Sequence, residues 1–256
     1  MTFKELKTTE QPQPKIEKLF GHCFALKEIE QGDKLPVGGD SIFSGEANIE
    51  TICDLEQFAD FFSQTAELAD GYDLPNLKKW LNNQGFEFDE ALFAKLYAFS
   101  VQMEKSFPAS EGVEDKRKEY YHEKKQDARL SEVLTGGFAQ CAEIAAVAQG
   151  YLQQSRVDAT YFSGDVVWSG EHEFSGEHSF LVIEHAGKQY IFDPTNPVDT
   201  TAGNFPSIYI LDKDFLQEMK QGTKKFVKAK NLLSKKDAYF GVNNGTNVYA
   251  KRHFVE

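Results

Sequence analysis

The feature that most constrains the fold is the stretch GGFAQCAEIA at residues 136–145, where a loop with two glycines leads into a helical pattern. Apolar residues then recur at helical spacing and predict a helix from Cys141 to about Gln154. Its many alanines permit close approach to neighbouring backbone, as a central buried helix requires. The sequence therefore predicts that the thiol of Cys141 lies at the N-terminal end of a buried helix, where the helix dipole favours negative charge.

Helical patterns dominate before this helix, and strand patterns follow it. Amphipathic spacing predicts three further helices, over residues 54–70, 74–83 and 89–105. Helices followed by mostly antiparallel strands are typical of an α+β fold rather than an alternating α/β one. Runs rich in β-branched and aromatic residues predict short strands over residues 157–162, 166–168, 178–184, 188–192 and 208–211.

Composition and charge narrow the class of protein. The chain of 256 residues has 28 Lys and Arg against 40 Asp and Glu, a formal net charge of -12, which argues against nucleic acid as a main partner. The N-terminus lacks a secretory-signal pattern, and no run approaches the roughly 20 apolar residues of a membrane helix. Three cysteines, Cys23, Cys53 and Cys141, do not suit a disulfide framework. We therefore expect a cytoplasmic protein with no membrane partner, and a signal-independent export route stays open.

A predicted hairpin carries a histidine and an aspartate. Residues 185–187, HAG, predict a tight turn between two apolar strands. Pairing across this turn places Asp193 near Phe180, two positions from His178, and residues i and i+2 of a strand share a face. The sequence therefore predicts that His178 and Asp193 lie on one face of the hairpin and close together.

Cysteine, histidine and aspartate are the residue types of a thiol nucleophile, its base and the group that orients the base. We expect His178 to share the proton of the Cys141 thiol and Asp193 to hold the imidazole. The oxyanion of an acyl intermediate needs donors, for which the backbone N–H of Cys141, the side-chain amide of Gln140 and the glycine-loop amides are candidates. Taken singly, each residue also has a structural interpretation, as a small buried thiol, a core or surface histidine and a turn aspartate.

A set of motifs resembles the transglutaminase-like superfamily of papain-fold cysteine enzymes, namely residues 134–137 (LTGG), Cys141, Ala145, Gly164, residues 178–180 (HSF) and residues 192–195 (FDPT). The resemblance covers about residues 130–196. It implies an α+β, papain-like or transglutaminase-like core in which a nucleophile helix packs on an antiparallel sheet. It also implies catalytic roles for Cys141, His178 and Asp193.

The chemistry implied by the resemblance is attack of a thiolate on an amide carbonyl to give a thioester. The superfamily includes proteases, protein deamidases and transglutaminases, which differ in whether water or an amine resolves the thioester, and nothing in the sequence identifies the acceptor. The expected substrate is a protein or peptide, attacked at a side-chain or backbone amide. Neither a cofactor nor a metal is expected, and the sequence does not indicate the oligomeric state.

The patterns divide the chain into a helical N-terminal extension at residues 1–110 and a transglutaminase-like catalytic core at residues 111–256. The extension is a candidate substrate-selecting or lid region, although the aromatic stripe of its third helix is most simply a core face. Residues 111–128 are densely charged and predict a solvated helix or a surface connection, with a lid over the site as a minor alternative.

Two alternatives use the same residues differently. In the first, the chain is a catalytically inactive transglutaminase-like protein-binding module, with the N-terminal helices as its partner surface. In the second, it is a zinc-binding protein, because His172 and its flanking glutamates lie near His178 and His185 in the sequence and, with Cys141, supply plausible ligands. No spacing among them matches a known zinc motif, so we prefer the catalytic hypothesis.

Overall fold

The computed structural model describes residues 17–20, 23–36, 50–108, 110–123, 127–168, 174–200, 203–211, 213–220, 225–242 and 254–255. Within these ranges the chain combines helices and antiparallel strands, which confirms the predicted α+β class at that level. None of the helices in the same ranges is both long and apolar enough to cross a membrane.

The helices agree closely with the sequence pattern. The three predicted before residue 110 and the one predicted to begin at Cys141 are all present. A 3-10 turn at Leu55–Phe58 precedes the first helix, and a π-helical turn at Lys118–Glu123 follows the fourth. The α-helices of the described ranges are α1 (Ala59–Asp70), α2 (Leu74–Asn83), α3 (Glu90–Ser106), α4 (Val113–Arg117), α5 (Leu130–Thr135), α6 (Cys141–Gln154) and α7 (Phe215–Lys220).

Side-chain caps explain where two of these helices begin. The Asp73 carboxylate accepts a hydrogen bond of 3.1 Å from the Asn76 N–H at the start of α2. The Asp89 carboxylate likewise accepts one of 2.7 Å from the Leu92 N–H at the start of α3. Each aspartate satisfies an N–H group that has no partner within the helix.

The strands are longer than the sequence predicts. The two strands expected over residues 157–162 and 166–168 form one continuous strand, and the strand expected over residues 178–184 begins at Phe174. The strands of the described ranges are β1 (Glu17–Phe20), β2 (Cys23–Leu26), β3 (Lys34–Pro36), β4 (Glu50–Ile52), β5 (Ala128–Arg129), β6 (Ala159–Trp168), β7 (Phe174–His185), β8 (Lys188–Thr200), β9 (Gly203–Leu211), β10 (Lys225–Asn231), β11 (Asp237–Val242) and β12 (Phe254–Val255).

Six strands close into an antiparallel barrel. Strands β6, β11, β10, β9, β8 and β7 are hydrogen-bonded in this order, and β7 also pairs with β6. Each of the six pairings is antiparallel. Strands β2 and β1 extend the sheet from β6, whereas β3, β4 and β5 form a separate small sheet. Closure leaves the six barrel strands without a free edge along their paired lengths.

Alternate residues of the barrel strands face two different cores. Each of the six strands sends residues to one cluster, which we place inside the barrel because strand side chains alternate between faces. The opposite face packs against the helices in a second cluster. The inner cluster includes Phe162, Phe180, Ile191, Tyr209, Val227 and Phe240, and the outer one Tyr161, Leu181, Phe192 and Ile208.

The region before residue 110 is only partly helical, which corrects the prediction of a helical N-terminal region. Strands β1 to β4 precede the first helix, and β2 pairs with the barrel strand β6. The helices of this region share the outer core with α6: the Phe99 ring of α3 lies 5.8 Å from the Tyr151 ring of α6 and 6.1 Å from the Phe192 ring of β8. Phenylalanine-rich packing therefore joins the two halves of the chain in one core.

Candidate active site

Cys141 is the first residue of α6 and is partly exposed. The preceding loop begins at the end of α5, where Gly137 has a positive φ of 67°. The Gly137 N–H bonds the Leu134 carbonyl at 3.0 Å, so this glycine ends one helix and turns the chain toward the next. The predicted glycine-containing loop is therefore present, and it places the thiol at a helix N-terminus.

His178 lies on β7 and is almost fully buried. It is paired with Gly164 of β6. A Cβ atom at position 164 would lie 2.6 Å from the Gly241 carbonyl oxygen and 2.5 Å from the Phe162 ring. Close approach of β11 therefore requires a glycine beside the histidine.

The predicted hairpin register is confirmed. Ala186 and Gly187 form the turn with φ values of 49° and 73°, and Leu181 pairs with Phe192. Continuing this register places Asp193 opposite Phe180, on the face of the hairpin that carries His178. The His178 Nε2 atom lies 2.9 Å from the Asp193 Oδ2 atom.

Asp193 is fully buried at an irregularity of β8. The register with β9 shifts between Asp193 and Val198, so the chain leaves regular pairing at the aspartate. The Thr195 N–H donates a hydrogen bond of 3.1 Å to Asp193 Oδ1, and the Asn196 amide donates one of 2.9 Å to Asp193 Oδ2. These donors, together with His178, hold the carboxylate in one orientation.

The electrostatics favour a charged histidine. Burial disfavours the imidazolium, but the Asp193 carboxylate and a hydrogen bond with the Cys141 side chain outweigh it and raise the pKa of His178 to about 10. Burial also disfavours the Asp193 carboxylate, yet His178 and the bonds from Asn196 and Thr195 hold the pKa of Asp193 below its ordinary value. Since Nε2 faces Asp193, Nδ1 is the ring nitrogen left for Cys141.

Aromatic rings enclose the histidine. The Trp168 ring lies 5.3 Å from the His178 ring in an edge-on arrangement, and the Phe180 ring lies 6.3 Å away. Such rings keep water from the bond between His178 and Asp193 and strengthen it. Sequence reasoning did not single out Trp168 as part of the site.

Cys141 and His178 open onto one cavity of about 680 Å³. Asn196 and Trp168 line it on the side of the barrel, and Gln140 lines it beside the cysteine. The wall nearest the N-terminal half comes from α3 and the following turn, through Met103 and Phe107 among others. The volume is that of a ligand-sized cleft.

Two buried charged residues that the sequence analysis missed hold the loop before Cys141. The side chains of Arg117 and Glu143 are 0% and 1% exposed, and Arg117 Nη1 lies 3.1 Å from Glu143 Oε2. The prediction that residues 111–128 form only a solvated surface segment is therefore wrong at Arg117 and at Tyr121, which is also buried. A glutamate three residues after Gln140 is a capping pattern that could have indicated Glu143; nothing in the sequence marks Arg117.

The alternative zinc site is only partly covered by the structure. His172 and its flanking glutamates lie outside the described residues. Within the described ranges no group of three or more His, Cys, Asp or Glu side chains is arranged to hold a metal ion. His185 points to another partner, Asp89, at 3.3 Å, rather than to His178.

No protein-family model and no curated protein matches the chain. A partly exposed thiol and a buried histidine line one cleft, and a buried carboxylate lies 2.9 Å from the histidine. Such an arrangement can hold a thiolate–imidazolium pair ready to attack an electrophilic carbon.

Proposed function

We propose that this chain is a cysteine-nucleophile enzyme of the transglutaminase-like superfamily, with a papain-like core, that attacks an amide carbonyl of a protein or peptide. The observation that carries the proposal is the position of His178, whose Nε2 atom lies 2.9 Å from Asp193 Oδ2 and which lines one cleft together with Cys141. Cys141 is the nucleophile, His178 the general acid and base, and Asp193 the group that orients the imidazole.

In the first half-reaction the Cys141 sulfur forms a bond to the amide carbonyl carbon, and the carbonyl π electrons move onto its oxygen. The tetrahedral intermediate then collapses, and the carbon–nitrogen bond breaks. The proton held by the His178 imidazolium passes to the departing nitrogen, so that an amine or ammonia leaves and a thioester remains on Cys141.

The negative oxygen of the intermediate requires donors beside the sulfur. The backbone N–H of Cys141 belongs to the first turn of α6, where N–H groups have no partner within the helix. Gln140, which lines the same cleft, can supply a second donor from its side-chain amide. The positive end of the α6 dipole stabilises both the thiolate and the oxyanion.

The second half-reaction resolves the thioester. Neutral His178 takes a proton from water or from a primary amine, and the resulting nucleophile displaces the Cys141 thiolate. Water gives an acid, as in proteolysis or deamidation, whereas an amine gives a new amide, as in cross-linking. Both outcomes use the same residues, and the acceptor decides between hydrolase and acyltransferase activity.

The proposal is tested by the rate at which Cys141 reacts with iodoacetamide across the pH range, followed at the Cys141 peptide by mass spectrometry. At about pH 6 a free cysteine is almost wholly protonated, so we expect the wild-type Cys141 to react about tenfold faster or more. His178→Ala removes the imidazolium, and its Cys141 should react like free cysteine. Identical profiles for the wild type and His178→Ala would refute the catalytic assignment.

His185→Ala is the matched control, because His185 lies on the same hairpin but pairs with Asp89. Its Cys141 profile should equal that of the wild type. Cys53 does not interfere, since burial raises the pKa of its thiol to about 12 and the side chain is inaccessible. Glutamine-containing peptides are then incubated with the protein, with and without a primary amine. The masses of the products distinguish cleavage, deamidation and cross-linking.

An active thiol that turns over no peptide in any of these assays would favour the inactive binding module over the enzyme. The distinction is experimental, because a binding module could retain the same three side chains. Cys141→Ser provides the comparison: an enzyme loses turnover with this change, whereas a module keeps its partner affinity.

A further inference from the structure

The loop between α5 and α6 is held at three points by groups outside it. The Ser110 hydroxyl hydrogen-bonds to the Gly137 carbonyl. Arg117 Nη1 donates to the Phe138 carbonyl at 2.8 Å, and the Gln140 N–H donates to Glu143 Oε2 at 2.9 Å. Every contact is to backbone, so the contacts fix the path of the chain rather than the identity of its side chains.

Arg117 and Glu143 join two of these points into one unit. Arg117 Nη1 contacts both the Phe138 carbonyl and Glu143 Oε2, and that same carboxylate oxygen accepts the Gln140 N–H. The other carboxylate oxygen accepts a hydrogen bond of 3.4 Å from the Thr51 hydroxyl. The buried ion pair thus binds the backbone of both neighbours of Ala139, namely Phe138 and Gln140.

Aromatic rings hold the guanidinium side of this unit. The Arg117 guanidinium lies over the Tyr121 ring, 5.2 Å from its centre. The Tyr120 ring stacks on the Phe138 ring at 5.0 Å. The segment that runs from α4 into the π-helical turn therefore packs on the same loop that Arg117 binds.

We propose that Arg117 and Glu143 are positioning residues, which set the backbone from Phe138 to Cys141 so that the thiol meets His178 and the Cys141 N–H faces the cleft. This inference rests on the proposed function in that it assigns the pair a role in the reactivity of Cys141. A buried ion pair is weak evidence for stability, because well-packed apolar residues often replace one without loss. The pair instead orients two backbone groups, the Phe138 carbonyl and the Gln140 N–H, by hydrogen bonds that apolar side chains cannot make.

The test is the double variant Arg117→Met with Glu143→Leu, which replaces the pair by apolar side chains and leaves no uncompensated buried charge. Three quantities are measured in the full chain: the thermal midpoint, the exchange rate of the Gln140 amide, and the iodoacetamide rate of Cys141 at about pH 6. Leu152→Ala is the control, because Leu152 is buried in the same helix but lies about three turns after Cys141, near the opposite end of that helix.

We expect the thermal midpoint of the double variant to stay at or above that of Leu152→Ala. The Gln140 amide should exchange about tenfold faster or more, since it loses a bond to a carboxylate. The Cys141 rate should fall about tenfold, toward the value of His178→Ala. In Leu152→Ala the thermal midpoint should fall while the Cys141 rate stays near that of the wild type.

Three results would overturn the proposal. One is a Gln140 amide that already exchanges its hydrogen rapidly in the wild type. This result does not depend on the variant being folded. Another is an unchanged Cys141 rate in the double variant. The third is a Cys141 rate that falls equally in Leu152→Ala, since loss of stability would then explain it.

The two proposals fail in different ways. If wild-type Cys141 reacts like a free cysteine, the proposed function fails, while faster Gln140 exchange in the double variant would still show that the pair holds the loop. If wild-type Cys141 is reactive and stays so in the double variant, the positioning role fails and the proposed function stands.

Discussion

The substitution Asp193→Asn isolates the electrostatic part of the candidate site. Asn has nearly the shape of Asp, so the change removes the charge from a fully buried position 2.9 Å from His178 Nε2 and creates no cavity. It also places an amide where Thr195 and Asn196 both donate to the carboxylate. The expected effect is a less stable imidazolium without a change of fold.

The size of the effect follows from the hydrogen bond that is lost. Bonds to charged groups contribute about 1.5–3 kcal/mol, so the pKa of His178 should fall by about 1–2 in the variant. The imidazolium that protonates the leaving nitrogen then loses its proton at a lower alkaline pH than in the wild type, where its pKa is about 10, but it stays protonated near neutral pH. The Cys141 alkylation rate at about pH 6, where His178 stays protonated in both proteins, should therefore remain near that of the wild type.

The same groups predict how stability depends on pH. The pKa of His178 is raised from 6.5 to about 10, so its stabilising contribution is complete below pH 6.5 and is lost as the pH rises through about 10. The pKa of Asp193 is lowered from 3.8, so its contribution is present above that value and is lost as the pH falls through the depressed pKa. Asp193→Asn should flatten both limbs of the stability curve.

Two measurements check this prediction. Nuclear magnetic resonance follows the ring signals of the 6 histidines during a pH titration, and His178 is assigned from His178→Ala. Urea unfolding at a series of pH values gives the stability curve. The reasoning is refuted if His178 titrates at the same pH in the wild type and in Asp193→Asn, because Asp193 would then not stabilise the imidazolium.

Two further substitutions test the packing that positions the site. Gly164→Ala forces a Cβ atom against the Gly241 carbonyl, so urea unfolding should show a free energy of unfolding lower by about 2 kcal/mol. Gly71→Ala is the control, because the nearest atom to its new Cβ lies at 3.4 Å, and its free energy of unfolding should change by about 0.5 kcal/mol or less. Equal effects in the two variants would contradict the close approach of β11. Phe99→Ala should cost about 3–5 kcal/mol, against about 1 kcal/mol or less for Ile210→Ala at a site that is 37% exposed. A small effect of Phe99→Ala would mean that α3 does not share the core of α6.

Residues from the N-terminal half of the chain form part of the cleft onto which Cys141 opens. Met103 and Phe107, from α3 and the turn after it, line the wall across from the barrel. The same helix is fixed to α6 through Phe99. Residues of both halves therefore line the cavity onto which Cys141 opens, and the role of the N-terminal region in substrate selection stays a prediction of the proposed function.

Local rules explain why part of the site could be predicted from the sequence. The helix beginning at Cys141 follows from periodicity, and the glycine pair marks the turn before it. The hairpin register follows from the turn at Ala186 and Gly187, so the proximity of His178 and Asp193 needs no knowledge of the remaining fold. Each of these features depends on residues close together in the chain.

The burial of Arg117 follows no such rule. Its neighbours are charged, and the sequence marks the segment as solvated. Its partners are the Phe138 carbonyl and Glu143, 21 and 26 residues away. Periodicity shows that a face is buried but does not identify what covers it, so a contact of this kind is decided only when the segments pack.

The sequence by itself determined the α+β class, the helix that carries Cys141 and the hairpin that joins His178 to Asp193, because these depend on turn chemistry and on the alternation of side chains along a strand. Only the tertiary structure decided the closure of six strands into a barrel, the entry of β2 into that sheet and the wall that α3 gives to the cleft. The physical reason is distance along the chain: these contacts join segments whose meeting depends on the packing of the whole core. The sequence alone identified the thiol, the histidine and the carboxylate, whereas the cleft and the buried ion pair between Arg117 and Glu143 depend on the tertiary structure.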